Sequence, residues 1–193
     1  AAGVVTIENS TISGNTARSA GGGIANFGTL ASVNNTIALN VSNPDGTRIN
    51  AGGVFSQVGA TTTLRNTIVA GNLAETETRG IAVTSDLGGG GSWGPSAFNL
   101  IGASNSAGSL IDGVNGNIVG MAGGGTIPLS EILDSNLTDN GGPTRTHALT
   151  FSSRAVNNGN NNLARNAAGQ LLTTDQRGPG FPRVFNSTVD IGA

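Results

Sequence analysis

Short runs in which apolar and polar residues alternate recur along the first hundred residues of the chain. In one of them, Val5 and Ile7 alternate with Thr6 and Glu8. Successive side chains of a β-strand point to opposite faces, so each run predicts a short strand with one apolar face. β-Branched residues dominate the runs, and none shows the three-to-four-residue spacing of an amphipathic helix. The pattern therefore predicts an all-β protein.

The runs belong to a longer sequence repeat. The segment TIENSTISGN ends at Asn15 and returns as SVNNTIALN ending at Asn40 and as TLRNTIVAGN ending at Asn72, at spacings of 25 and 32 residues. A second element follows each copy: GGGIAN from Gly21, AGGVFS from Ala51 and RGIAVT from Arg79. Strands this short cannot bury an apolar face within one repeat, so the repeats must stack. Stacking in parallel predicts a single-domain β-helix, a solenoid of about seven coils at about 4.8 Å per coil.

Each copy of the repeat closes on an asparagine. If these residues occupy the same corner of successive coils, their side chains form a ladder that satisfies backbone groups of the neighbouring coils. Asparagine also tolerates the left-handed backbone conformation that such a corner demands. The repeat thus predicts a structural ladder of Asn15, Asn40 and Asn72.

The spacing between the runs changes near residue 100. Up to that point the spacing fits regular coils, whereas later apolar runs follow one another at 8 to 12 residues, and the last part is rich in Asn, Arg and Pro. Residues 1–100 are therefore predicted to form the regular β-helix. Residues 101–193 are predicted to form irregular coils and a C-terminal capping segment of the same domain.

Composition and charge exclude several classes of function. Charged residues make up 10% of the chain, the formal net charge is -2, and all nine basic residues are arginine. This balance argues against nucleic acid as a partner. The absence of cysteine excludes disulfides, thiol chemistry and zinc-thiolate sites. No stretch approaches the roughly 18 apolar residues of a membrane span, so none is expected.

Several motifs resemble known exported proteins. NSTISGN followed by GGGI and GTL resembles the repeats of pectate-lyase-like right-handed β-helices and of bacterial polymorphic outer-membrane proteins. NLIG, GNIVG, LTDNGGPTRTHAL, AVNNGNNNLA, TTDQRG and PRVFNSTVDIGA resemble the choice-of-anchor Q family of secreted bacterial surface proteins. The resemblance covers nearly the whole chain. It implies a right-handed parallel β-helix and an extracellular or cell-surface location, but no particular activity.

The chain has few of the residues that catalyse reactions in lyases and hydrolases of this architecture. Hydrolases need adjacent carboxylates, and the chain has no Asp-Asp or Asp-x-Asp pair. The best candidate cluster is Asp139, Arg145, His147, Asp175 and Arg177, in which His147, the only histidine, would be the general base. If the protein is an enzyme, the catalytic residues are expected to be His147, Arg177, Asp139 and Asp175. We favour the alternative that these residues hold an irregular segment together.

Two further residue sets are candidates for ligand contact. Trp93, in the stretch GGGGSWG, would contact a sugar or a protein partner if exposed, although a loop tucked onto the solenoid is favoured. Asp45 and Asn160 lie in loops whose oxygens could bind calcium, the one cofactor considered. The loops match no EF-hand or glycine-aspartate nonapeptide.

The sequence therefore predicts a non-catalytic structural or adhesive protein outside a bacterial cell. An open coil end at Val4 and Val5, with few charges nearby, predicts head-to-tail self-association into filaments. Carbohydrate is a second candidate partner. The alternatives are a polysaccharide lyase or glycoside hydrolase that acts along the β-helix face, and a passive stalk that displays another domain.

Overall fold

The computed structural model describes residues 3–42, 51–75 and 82–193. Over these ranges the protein is all-β, and its helical content is limited to four single 3-10 turns: Ser104–Ser106, Val114–Gly116, Leu129–Glu131 and Asn161–Leu163. None of these turns is long or apolar enough to cross a membrane.

Most strands belong to four small sheets, which we name A to D. Sheet A contains β1 (Val4–Glu8), β5 (Thr29–Val33) and β9 (Thr61–Arg65). Sheet B contains β2 (Thr11–Ser13), β6 (Thr36–Ala38), β10 (Ile68–Ala70), β14 (Leu100–Ile101) and β15 (Ile118–Val119). Sheet C contains β3 (Thr16–Ala17), β7 (Val41–Ser42), β11 (Leu73–Glu75) and β12 (Ala82–Thr84). Sheet D contains β4 (Ile24–Asn26), β8 (Val54–Ser56) and β13 (Leu87–Gly88).

The chain enters these sheets in a repeating order. Strands β1 to β4 enter sheets A, B, C and D in turn, and β5 to β8 enter the same sheets in the same order. We call each such set of strands a pass; β9, β10, β11 and β13 form the third. Neighbours in the sheets are parallel, except that β12 pairs antiparallel with β11. A separate antiparallel hairpin joins β16 (Val184–Phe185) to β17 (Thr188–Val189). Several parallel sheets in an all-β chain are compatible with the predicted β-helix.

The first hydrophobic core consists of aliphatic columns that run across the passes. In sheet B, strand register stacks Ile12, Ile37, Val69, Ile101 and Val119 on one another. In sheet D, a second column stacks Ile24, Val54, Leu87 and Ala107. Leu30 and Leu64 of sheet A join the same buried cluster. The alternating runs therefore bury one face, as the sequence pattern predicts.

Sheet B is buried on its other face as well. Ala38, Ile68 and Leu100 belong to a second core with Ile132 and Ile191, which come from the C-terminal part of the chain. That part also reaches the first pass, where the Asn9 amide donates to the Thr174 carbonyl at 2.8 Å. The C-terminal segment, predicted as a cap, thus lies along sheet B from the last pass back to the first. Burial on both faces explains the unbroken apolar runs of β10, β14 and β15, whereas the edge strand β2 still alternates.

The corners show which residues take the left-handed conformation. Asn15, Asn40 and Asn72, for which we expected it, do not; the residues just before them do, with φ of 68°, 59° and 67° at Gly14, Leu39 and Gly71. Between sheets A and B, other asparagines adopt it: Asn9, Asn34 and Asn66. The ladder asparagines thus keep ordinary backbone conformations, and their role rests on hydrogen bonds alone.

The aliphatic column of sheet B gives a stability test. Ile37 is fully buried, and we expect Ile37→Ala to lower the free energy of unfolding by about 3 kcal/mol, because it leaves a cavity between two passes. The exposed Ile111 is the control, and Ile111→Ala should change stability by less than about 0.5 kcal/mol. Urea unfolding followed by the fluorescence of Trp93, the only tryptophan, measures both. Equal losses of unfolding free energy in the two variants would show that the column does not stabilise the fold.

Candidate functional site

The asparagines that close the repeats form consecutive hydrogen bonds across the passes. Asn40 Oδ1 accepts from the backbone N–H and the Nδ2 of Asn15, at 3.0 and 2.9 Å. Asn72 Oδ1 accepts the same pair of bonds from Asn40, both at 3.0 Å. The Nδ2 of Asn40 and that of Asn72 also donate to a carbonyl of the preceding pass, that of Ile12 and that of Ile37 respectively. Buried backbone groups at these corners are thus satisfied by side chains.

The ladder continues to Asp86, a residue that sequence inspection did not place there. Its Oδ1 accepts from the backbone N–H and the Nδ2 of Asn72, at 3.1 and 3.0 Å, and its Oδ2 accepts from the Ala103 N–H at 2.9 Å. Asp86 is 1% exposed. Burial raises the pKa of this carboxyl to about 6, although hydrogen bonds from Asn72, Ala103 and Gly102 oppose the shift.

A second set of corner hydrogen bonds was also missed. Asn35 Oδ1 accepts from the Ser10 N–H at 2.8 Å, Asn99 Oδ1 from the Thr67 N–H at 3.0 Å, and Asn117 Oδ1 from Asn99 through both its N–H and its Nδ2. The sequence does carry a signal for this set. Each of the three asparagines directly precedes a strand of sheet B, in the motifs NTI, NLI and NIV.

Three of the predicted catalytic residues line one polar cleft. His147, Asp175 and Arg177 form part of its wall, and its volume is about 270 Å³. Further wall residues include Asn140, Gln176, Arg183 and Asp190. Asp139 and Arg145 are exposed and lie outside this wall. Asp139 instead accepts the Gly141 N–H at 2.9 Å, as expected for a turn residue.

The hydrogen bonds of His147 hold the C-terminal segment against sheet B. Its Nδ1 lies 2.8 Å from the carbonyl oxygen of Asp134, and its Nε2 lies 2.7 Å from Ser13 Oγ. A carbonyl oxygen can only accept, so in the neutral ring Nδ1 carries the proton and Nε2 accepts from the Ser13 hydroxyl. Nε2 therefore links His147 to strand β2, and Nδ1 links it to the backbone of Asp134.

Arg177 and Asp175 form a bidentate ion pair in the wall of the cleft. Arg177 donates through Nε and Nη2, and the Nη2 to Asp175 Oδ2 distance is 2.6 Å. The guanidinium also lies 4.0 Å from the centre of the Phe181 ring, in a cation-π contact. The two charges neutralise each other locally, as expected of residues that hold an irregular segment.

Trp93 and Asn160, predicted to contact a ligand or calcium, are not among the residues that line the cleft. Trp93 is 4% exposed and packs in the first core, so its ring is not available at the surface in this structure. Asn160 Oδ1 accepts the Asn162 N–H at 2.9 Å, and Asp45 lies outside the described residues. Within residues 3–42, 51–75 and 82–193, no group of three or more His, Cys, Asp or Glu side chains is placed to hold a metal ion.

Comparison with protein-family models, curated proteins and solved structures found no match to the chain. The resemblance to the choice-of-anchor Q family therefore rests on the motifs alone.

The raised pKa of Asp86 predicts a specific pH dependence of stability. The folded protein holds this proton up to about pH 6, whereas the unfolded chain releases it near 3.8. Stability from this group is therefore full below pH 3.8 and falls by about 3 kcal/mol as the pH rises to 6. We expect the difference in unfolding free energy between wild type and Asp86→Asn to shift by about 2 kcal/mol between pH 4 and pH 6.5, measured by urea titration.

Asp139→Asn is the matched control, because Asp139 is exposed. Its difference from wild type should stay constant over the same range. If the unfolding free energies of wild type and Asp86→Asn changed in parallel with pH, this would contradict a raised pKa of Asp86.

Proposed function

We propose that the chain is a single-domain right-handed parallel β-helix that serves as a non-catalytic structural or adhesive element outside a bacterial cell. The observation that carries the proposal is the repeated order of sheets A to D, with aliphatic columns and a ladder of buried asparagines between the passes. In stacked repeats of this kind each repeat contacts its neighbours and presents an extended surface, which suits a structural or adhesive element. The extracellular location rests on the motif resemblance.

Side-chain chemistry supports a structural role for the candidate catalytic residues. His147 uses both ring nitrogens to fasten the C-terminal segment, and Asp175 is paired with Arg177. A general base needs a free nitrogen or oxygen within hydrogen-bond reach of a substrate proton. His147 instead bonds to Ser13 of the first pass and to the Asp134 carbonyl, and the carboxylate of Asp175 is held by the nearby Arg177.

The exposed edge of the first pass supports self-association. Strands β1, β2, β3 and β4 each stand at the outer edge of their sheets. On β1, Val4 and Val5 are 78% and 50% exposed. Natural proteins protect strand edges with charges, especially lysine, and the chain has no lysine. We therefore propose that a second copy of the chain stacks on this edge, head to tail, because such a contact need not close into a ring.

Electron microscopy across a concentration series tests this assembly. We expect the wild-type protein to form fibres with a spacing of about 4.8 Å along the fibre axis. Val5→Lys should abolish fibres, because a charge at the edge blocks strand pairing. Val58→Lys is the matched control, since Val58 is 75% exposed but lies in the turn that follows β8 of the second pass.

The same grids, prepared with and without a calcium chelator, test the calcium prediction for Asp45 and Asn160. Fibre loss on chelation would place calcium at the contact between copies. Single particles of the wild type at every concentration, together with native circular dichroism, would refute self-association.

The alternative, cleavage of a polysaccharide, has one observation in its favour: His147, Asp175 and Arg177 line the same cleft. If the protein is a lyase, incubation with an acidic polysaccharide should produce unsaturated sugars that absorb in the ultraviolet. His147→Gln and Arg177→Gln should abolish that signal. We expect no such absorbance from the wild type, and lower thermal stability in both variants because each loses contacts that hold the C-terminal segment.

A further inference from the structure

Sheet B begins at β2 and ends at β15, so the outer edge of β15 is the far end of this sheet. Ile118 and Gly120 donate their N–H groups to carbonyls at either end of β14, at 2.8 and 2.9 Å. Backbone groups of successive residues in a strand point to opposite sides. The Val119 N–H and the Asn117 carbonyl therefore point away from β14, out of the sheet.

A turn of the same chain bonds to both of these outward groups. The Asp112 carboxylate accepts the Val119 N–H at 2.9 Å, and the Asn117 carbonyl accepts the Gly113 N–H at 2.8 Å. We call residues 112–116 the tail turn; all of them are exposed. Packing therefore contributes little to holding the tail turn in place, and its hydrogen bonds to the edge of β15 matter more.

At the opposite end of the sheet, β2 presents outward backbone groups of its own. Gly14 donates its N–H towards β6, to the Ala38 carbonyl at 3.4 Å. By the same alternation, the backbone groups of Thr11 and Ser13 point out of the sheet on the side away from β6. Ile12 lies between them and is the first member of the aliphatic column that ends at Val119.

The register of sheet B shows where a further strand would pair. Thr11 pairs with Thr36 in parallel, and the same register continues strand by strand to Ile118. At the first step Thr36 donates its N–H to the carbonyl of Ser10, the residue before its partner. A second copy whose Thr11 lay over Ile118 in this register would bring its Ile12 onto Val119. The aliphatic column would then run from one copy into the next.

The hydrogen bonds of such a contact follow from the same pattern. The Thr11 N–H of the second copy would donate to the Asn117 carbonyl, and its Thr11 carbonyl would accept the Val119 N–H. In the single chain, Gly113 and Asp112 make these two bonds. The tail turn therefore supplies the donor and the acceptor that a next strand would supply.

We propose that the outer edge of β15 is the surface on which β2 of a second copy pairs, and that the tail turn occupies this edge until the second copy displaces it. The inference rests on the proposed self-association. It adds the strand on which the second copy pairs and the contact that must be broken first. Each bond that the tail turn gives up is replaced by one from Thr11, so the exchange leaves no buried backbone group unpaired.

Backbone hydrogen exchange tests the tail turn without any assembly. It is measured by nuclear magnetic resonance on the dispersed Val5→Lys protein. Adding Asp112→Ala should speed the exchange of the Val119 N–H about threefold or more, because this amide loses its acceptor. The Ile118 N–H bonds inside the sheet and should exchange at an unchanged rate. An unchanged rate at Val119 would overturn the role of Asp112.

Fibre formation tests the contact itself. Asp112→Ala should lower the protein concentration at which fibres appear by about threefold or more, because a second copy no longer displaces the carboxylate. Asp139→Ala is the matched control, since Asp139 is also an exposed aspartate that accepts a turn N–H. Asp112→Asn keeps an oxygen acceptor. Both controls should form fibres at the wild-type concentration.

Substitution in β2 tests the other side of the contact. Thr11→Pro removes an N–H that points out of the sheet, a change that edge strands tolerate, so we expect native circular dichroism and no fibres. Thr11→Val loses the hydroxyl bond to Gln176 but keeps the N–H, and should form fibres as the wild type does. Should Thr11→Pro fail to fold, the comparison of Asp112→Ala with Asp139→Ala decides.

Failure of this contact and failure of self-association give different results. If wild type and Asp112→Ala form fibres at equal concentrations, the tail turn does not cover the contact, although self-association stands. Fibres from folded Thr11→Pro would likewise overturn the pairing of β2 with β15. Absence of fibres from every variant, including Asp112→Ala, would refute self-association and this contact with it.

Discussion

Hydrogen bonding at the corners between sheets is the constraint on which the rest of the fold depends. At each corner the backbone turns out of one sheet before it enters the next, and its buried N–H groups need acceptors. The side chains of Asn40, Asn72 and Asp86 provide them, each accepting two bonds from the ladder residue before it in the chain. Together with the backbone pairing of the parallel strands, these bonds hold the passes in the register that stacks the aliphatic columns.

The ladder asparagines and the apolar runs were predictable, because each repeats in the sequence at matching positions. The αL positions were not, since Gly14, Leu39 and Gly71 share no side-chain chemistry. Asp86 was missed because it follows Asn72 by only 14 residues instead of a full repeat, with the antiparallel strand β12 between them. The sequence pattern identifies a ladder only where its spacing stays regular.

The candidate site shows a different limit of sequence reasoning. Of the five residues grouped from the sequence, His147, Asp175 and Arg177 lie in the wall of one cleft, whereas Asp139 and Arg145 do not. Arg183 was overlooked, since nothing in its sequence neighbours marks it as buried. Its situation arises from packing against Asn9 and Gly192, contacts between the first pass and the last residues. Long-range contacts of this kind leave no local pattern.

The ladder ends on a carboxylate, whose hydrogen bonding differs from that of the amides before it. An amide both accepts and donates, so an asparagine rung can be followed by another, and a duplicated repeat could be inserted between Asn15 and Asn72 without leaving an amide unmatched. A carboxylate only accepts, and Asp86 meets backbone N–H groups on its far side. A further repeat would therefore meet a matching amide on the asparagine side of Asp86, whereas the amide ladder itself ends at this carboxylate.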